Sequence, residues 1–210
     1  MLRVKAFSDA RKKLADELKN NGINDENVID AFLNVPRHMF VPYVLRFDSY
    51  KNSALPIGKN QTISQPLTVA QMTQKLELKE TDNVLEIGTG SGFQTAILAY
   101  IVHKVFTIEV FADFSKKAKE IHRKLGFENI FYKIDNGSDG WSDYAPFDKI
   151  IVTAAFRSFP EKLFNQLKKG DGIIIFPIIK GDTQRLVRIA FKNNQATEEI
   201  INECNFVTAR

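Results

Sequence analysis

The stretch Val84–Ala96, V-L-E-I-G-T-G-S-G-F-Q-T-A, constrains the fold of this chain more than any other. It opens with V-L-E-I, the kind of short apolar run that forms a buried parallel strand, and then breaks into three glycines alternating with small hydroxyl residues. A helical pattern follows from Phe93 through Ile101. A strand that ends in a glycine turn and opens a helix is the ligand-cradling unit of doubly wound α/β folds. Glycine lets the backbone take positive φ and lets a ligand lie against bare main chain. The first N–H groups of the helix have no partner within it and face anything anionic nearby.

The second half of the signature is K-V-F-T-I-E-V, Lys104–Val110, which reads as the next strand. It delivers Glu109 at its carboxyl end, about 20 residues after Gly88, where an acidic side chain accepts both hydroxyls of a ribose. A G-x-G-x-G string alone would be equally well read as a structural turn beside a surface Glu. Strand, turn, helix and spaced acid together point to an adenosine-containing cofactor held by Gly88, Gly90, Gly92 and Glu109.

From Asn83 onward strands and helices alternate. A helix is predicted over Ala112–Leu125, strands over Asn129–Ile134 and Asp148–Ala154, a short helix over Pro160–Leu167, and a strand over Gly172–Ile179. Two alternating runs, Gln184–Phe191 and Thr197–Phe206, read as an antiparallel pair with a turn near Asn193-Asn194. This is βαβ alternation, hence a mostly parallel sheet with helices on both faces. Ahead of it, helices are predicted over Ala6–Asn20, Asn27–Leu33 and Leu67–Leu76, the second capped by Asp25. The segment Tyr50–Pro66 reads as a long polar loop with apolar patches at Leu55–Ile57 and Ile63, a composition typical of functional loops. Ser64, just before Pro66, is placed to cap the helix that follows. Residues 1–80 thus form a helical and loop extension, and residues 81–210 the cofactor-binding core of one compact unit.

The basic residues Lys116, Lys117, Lys119, Arg123 and Lys124 read as the solvated face of a helix, and a net charge of +4 gives no basis for nucleic-acid binding. The lone Cys204 suits a reducing compartment, and no apolar run approaches the roughly 18 residues of a membrane span, so a cytoplasmic protein is expected. His38, His103 and His122 have no metal-ligand spacing, and no metal is expected. His38 reads as a packed or hydrogen-bonded residue, and the other two as ordinary helix-end or helix-surface residues.

Some 80 residues precede the first core strand, and the sheet ends in an antiparallel pair; both features look like the Rossmann-like S-adenosylmethionine-dependent methyltransferase fold. The resemblance is closer still in V-P-R-H-M-F-V-P, A-L-P-I-G-K-N-Q-T-I-S-Q-P, V-L-E-I-G-T-G-S-G-F-Q-T-A and F-D-K-I-I-V-T-A-A. In this order and spacing they resemble the protein-L-isoaspartate O-methyltransferase family over residues 25–177. The resemblance implies methyl transfer from S-adenosyl-L-methionine, giving S-adenosyl-L-homocysteine, to the free α-carboxylate of isoaspartyl residues in damaged proteins or peptides. It implies Ser64 beside the methyl group, with its hydroxyl and nearby backbone N–H groups on the substrate carboxylate. Thr62, Ile63, Gln65, Phe206 and Val207 would shape the substrate side. Glu86, Gly88, Thr89, Gly90, Gly92, Gln94, Glu109, Asp135, Asn136, Gly137 and Thr153 would serve the cofactor. A monomer without nucleic-acid or membrane partners is expected.

Three departures from the family pattern stand out. Asp135-Asn136-Gly137 replaces Gly-Asp-Gly, so an Asn carbonyl would meet the adenine amine; N-F-V runs into Thr208, Ala209 and Arg210 instead of Pro-Leu; and Phe156-Arg157 follows V-T-A-A, where the family often has prolines. Two other readings stay open: a methyltransferase for RNA or a small molecule, against which the absence of an Asp/Asn-Pro-Pro-aromatic string counts, and a catalytically silent member that binds cofactor or a protein partner.

Overall fold

The computed structural model describes residues 2–192 and 195–209; the turn expected near Asn193-Asn194 lies outside them. Two helices, α1 (Leu2–Asn20) and α2 (Glu26–Asn34), open the chain. Asp25 caps α2 by accepting hydrogen bonds from the Asn27 and Val28 N–H groups at 2.9 and 3.3 Å, as its sequence position predicts. The segment between Tyr50 and Pro66 is not an open loop. It folds into a ribbon of β1 (Leu55–Gly58) and β2 (Gln61–Ile63) joined through Lys59 and Asn60, both at positive φ (50° and 56°). That is the type I′ hairpin geometry, built on Lys-Asn instead of the usual Asn-Gly or Asp-Gly, which is why the sequence does not announce it.

Helix α3 (Pro66–Lys75) follows, with Pro66 in its first turn as expected. Ser64 does not cap it: the Asn52 Oδ1 accepts from the Leu67 N–H at 3.0 Å, reaching in from the other end of the segment. The core then runs β3 (Asn83–Ile87), α4 (Phe93–Ile101), β4 (Lys104–Glu109), α5 (Ala112–Lys124), β5 (Ile130–Ile134), β6 (Lys149–Val152), α6 (Glu161–Phe164), β7 (Ile173–Lys180), β8 (Thr183–Lys192) and β9 (Gln195–Cys204). Helix α6 is half the predicted length, because residues 165–167 turn back to place Leu167 in a bridge with Phe147.

The seven core strands order as β5-β4-β3-β6-β7-β8-β9, parallel as far as β7 and antiparallel beyond it. The α/β doubly wound arrangement with a C-terminal antiparallel pair is therefore present. Successive residues of one strand enter opposite apolar clusters, as a pleated sheet buried on both faces requires. Val84, Val105 and Ile151 pack with α1–α4, whereas Leu85, Phe106 and Ile150 pack with Phe147, Leu163 and Leu167. Helix α4 is buried on nearly every side because α2 covers the face that the sheet does not. Strand order reverses at β3, between β4 and β6, so the carboxyl ends of these three strands frame a crevice, the usual ligand site of such sheets. No helix among the described residues is long and apolar enough to cross a membrane.

Candidate active site

The glycine turn lies where β3 ends, and it is close-packed from behind. Gly88 has φ +97°, and a Cβ there would collide with the Thr153 Oγ1. Gly92 has φ +88°, and a Cβ there would meet Ala118 and the His122 ring at 2.8–2.9 Å. A side chain at either position would be both strained and obstructed.

His122 is a correction to the sequence reading. It is no helix-surface residue but is buried on α5, with Nε2 2.7 Å from the Gly92 carbonyl and Nδ1 2.7 Å from the Tyr132 hydroxyl. A carbonyl only accepts, so Nε2 carries the proton and Nδ1 accepts from Tyr132. Burial lowers its pKa to about 4, against the opposing pull of the Gly92 carbonyl, and the ring is neutral at pH 7. The signal was present in the sequence: His122 stands four and eight residues after the apolar Ala118 and Phe114, on the buried stripe of α5. Lys116, Lys117, Lys119, Arg123 and Lys124 occupy the exposed face, as expected.

Glu86 lies beneath the turn. Its Oε2 accepts from Thr95 and Thr107 hydroxyls at 2.5 and 2.7 Å, and the Thr107 oxygen is 2.6 Å from that of Thr89. Burial pushes this carboxyl up to about 8 even though both hydroxyls favour the charged form. Glu86 is thus a buried brace between β3, β4 and α4 and has no surface in the crevice. Glu109 does face it. Its Oε1 accepts from the Phe111 N–H at 2.9 Å and its Oε2 from the Gly90 N–H at 2.8 Å, so the end of β4 is tied to the glycine turn. Thr153, after β6, donates to the Gly88 carbonyl at 2.7 Å and closes the third side.

On the far wall stand the hairpin and Ser64. The hairpin tip is fastened across the crevice: the Lys59 ammonium pairs with Asp113 at 2.8 Å and lies 5.1 Å from the Phe111 ring centroid. Ser64 is held through its backbone by Arg37, a residue the sequence reading passed over. The Arg37 Nη2 donates to the Ser64 carbonyl at 2.8 Å and its Nε to the Ser49 carbonyl at 2.8 Å, while the guanidinium lies 4.8 Å from the Phe93 ring centroid. The Ser64 hydroxyl makes no hydrogen bond among the described residues. His38 is packed and bonded as expected, stacked on Phe7 with Nδ1 2.8 Å from the Tyr50 hydroxyl. The last wall is the segment after β9. Gln184 holds Phe206 through both backbone groups, and the Val207 carbonyl accepts from the Ala155 N–H at 2.8 Å. Thr208 and Ala209 continue this wall, where Ala209 donates to the Ala155 carbonyl.

These walls enclose a cavity of about 1050 Å³, including the space open to solvent. Thr62, Ile63, Ser64, Gly88, Thr89, Gly90, Gln94, Glu109, Asn136, Gly137, Thr153, Phe206 and Val207 all line it. Gln65, Glu86, Gly92 and Asp135 do not. Gln65 is the turn residue that opens α3, Gly92 is covered by His122, and Asp135 pairs with Lys133 at 2.8 Å. The Asn136 Oδ1 already accepts from the Ser138 N–H at 3.0 Å, leaving one lone pair for a ligand. Ser91, Ser138, Phe111 and Phe156 also line the cavity and were not foreseen there.

The sequence model of the protein-L-isoaspartate (D-aspartate) O-methyltransferase family matches residues 9–210. The chain belongs to this family. A relative from Dictyoglomus turgidum, named protein-L-isoaspartate O-methyltransferase, is 48% identical over 197 residues, covering 94% of this chain and 89% of the relative. One of the same name from Aliivibrio fischeri is 44% identical, with 95% of each chain covered. A solved protein-L-isoaspartate O-methyltransferase superposes with a TM-score of 0.85 at 29% identity, over 95% of this chain and 66% of that one. A Plasmodium falciparum structure, described as a complex with S-adenosyl-L-homocysteine, has the same fold, with a TM-score of 0.83 at 24% identity over 95% of this chain and 98% of that one. Asn136 and Phe156, two of the departures noted in the sequence, both line the cavity.

Proposed function

We propose that the protein is a repair enzyme, methylating the free α-carboxylate of L-isoaspartyl residues in damaged proteins with S-adenosyl-L-methionine. The observation that carries this reading is the pairing, across one cavity, of a glycine turn and strand-end acid with an unpartnered serine hydroxyl on the opposite wall. The cofactor fits the residues present. Gly88 and Gly90 present bare backbone to the cavity, Glu109 offers its remaining lone pairs to a ribose, and Asn136 reaches the adenine end. When bound, S-adenosyl-L-methionine supplies an electrophilic methyl group; its displacement by a carboxylate oxygen leaves the electron pair on sulfur and moves no proton.

This chain's residues therefore have positioning to do and no acid–base work. A carboxylate with a pKa near ~3.5 is already ionised at pH 7. Ser64 donates to it and orients it, Thr62 and Ile63 shape the hairpin side, and Phe206 and Val207 hold the flanking peptide. Gln65 supports Ser64 as the next residue of the turn, while Glu86 and Gly92 serve the cofactor from behind the loop. Alignment of this kind supplies up to ~7–11 kcal/mol in favourable cases. Away from the enzyme, the neighbouring peptide nitrogen attacks the ester carbonyl, expels methanol and gives a succinimide, which water opens in part to normal aspartate. Residues 1–80 serve as the extension that carries the substrate hairpin, and residues 81–210 as the cofactor core. The protein acts as a cytoplasmic monomer without nucleic-acid or membrane partners, a reading supported by the single thiol and the small net charge.

The test is methyl transfer from labelled S-adenosyl-L-methionine to two peptides that differ only in isoaspartate against aspartate. Base-labile label on the isoaspartyl peptide alone is the expected result. Label on neither, with S-adenosyl-L-homocysteine still bound in calorimetry, overturns the substrate.

A further inference from the structure

Arg37 is 1% exposed, and among the described residues no carboxylate lies within ion-pair distance of it. Its firm hydrogen bonds go to two neutral carbonyls, those of Ser49 and Ser64, and its Nη1 has no partner. The face of Phe93 offers the charge its one aromatic partner. Burial lowers the guanidinium pKa to about 9, which still leaves it protonated at pH 7. A buried charge that lacks a counter-ion is costly, and proteins normally pair it.

We propose that Arg37 is a positioning residue that acts from behind Ser64 and Phe93, outside the cavity lining: it fixes Ser64 through its carbonyl, and its charge, without a counter-ion of its own, makes that wall of the cavity favour an ionised carboxylate over a neutral group of the same shape. The inference rests on the proposed substrate and deepens it. Two consequences follow from the geometry. The planar guanidinium spans the Ser49 and Ser64 carbonyls at once, so Ser64 is held in register with the chain just ahead of the hairpin; a lysine ammonium, with a single nitrogen, does not span them in the same way. The positive charge attracts the substrate as an anion and loses its hold once the methyl ester has formed, because the ester is neutral. Arg37 thereby favours binding of damaged chain and release of product with the same atoms.

The test uses the full-length protein, with Arg37→Met and Arg37→Lys, and two peptides that differ only in isoaspartate against isoasparagine. The isoaspartyl peptide is assayed as substrate, for KM and kcat; the neutral isoasparaginyl peptide is assayed as a competitive inhibitor. Binding of S-adenosyl-L-homocysteine reports that each variant is folded. Arg37→Met is expected to raise KM for the isoaspartyl peptide by about tenfold or more while leaving the neutral peptide's inhibition constant within about twofold. Arg37→Lys is expected to keep the preference for the charged peptide and to lose kcat, because Ser64 is less firmly held. Equal weakening of both peptides in Arg37→Met, or an unchanged KM, overturns the proposal. If Arg37→Met fails to bind S-adenosyl-L-homocysteine, Arg37→Lys decides, and loss of the charge preference there overturns it. Absence of methylation by the unmodified enzyme overturns the substrate itself, and the role of Arg37 with it.

Discussion

Replacing His122 with Phe tests whether the glycine turn is held by a neutral, buried imidazole. An aromatic ring is kept, but the Tyr132 hydroxyl loses its partner and the Gly92 carbonyl keeps only the Ala96 N–H at 2.9 Å. The hydroxyl left unpaired costs about 1–3 kcal/mol and the hydrogen bond lost at the carbonyl about 0.5–1.5 kcal/mol, so the variant is less stable at pH 7 by roughly 1.5–4.5 kcal/mol. The pH dependence is the sharper readout. The folded-state pKa is depressed from 6.5 to about 4, so the stabilisation is complete above pH 6.5 and drains away as pH falls toward 4. Between pH 7 and pH 5 this one residue costs the unmodified protein about 2 kcal/mol. His38 is also lowered to about 4, by burial and by Arg11 and Arg46, but it contributes equally to both proteins and cancels in the comparison. Urea unfolding at pH 7 and pH 5 gives the four free energies. The gap between the two proteins should narrow by about 2 kcal/mol at pH 5. Parallel losses, with a gap unchanged within about 0.5 kcal/mol, would refute the neutral buried histidine.

Other consequences are equally direct. Ser64→Ala should cut methyl transfer by about tenfold to a hundredfold while S-adenosyl-L-homocysteine affinity, read by calorimetry, stays the same. Gly88→Ala places a Cβ in collision with the Thr153 Oγ1 at φ +97° and should abolish measurable cofactor binding, with Thr153→Ala added to it restoring only part because the backbone strain remains. Glu109→Ala should weaken S-adenosyl-L-homocysteine binding by about tenfold to a hundredfold, since it removes the proposed ribose acceptor and frees the Gly90 N–H. An unchanged dissociation constant would show that Glu109 braces the turn and does nothing more.

The wall of the cavity built on the glycine turn was legible because its logic is local. Gly88, Gly90 and Glu109 follow from a strand, its turn and the next strand, and the β3-β4 pairing delivers them to one crevice by a rule that needs no knowledge of distant residues. The partners of Arg37 and His122 were not legible for the opposite reason, although the burial of His122 could be read from the apolar stripe of α5. Each residue is defined by a carbonyl far along the chain, Ser64 for one and Gly92 for the other, and neither carbonyl has a side-chain signature. Glu86 stands on the expected strand, but its side chain points into the layer between β3 and α4 and does not line the cavity, which the strand pattern alone does not reveal. The helix start at Pro66 was correctly placed, yet its cap comes from Asn52, since the hairpin folds that end of the segment back onto α3. The hairpin itself stayed hidden behind two non-glycine residues in a left-handed turn.

Repair is read out by following an isoaspartyl peptide through repeated turnover with S-adenosyl-L-methionine, separating the isoaspartyl, succinimide, methyl-ester and aspartyl forms by chromatography and mass. The isoaspartyl form is expected to be consumed through the ester and succinimide while the aspartyl form accumulates unmethylated. Persistence of the isoaspartyl peptide beside a methylated aspartyl one would contradict repair.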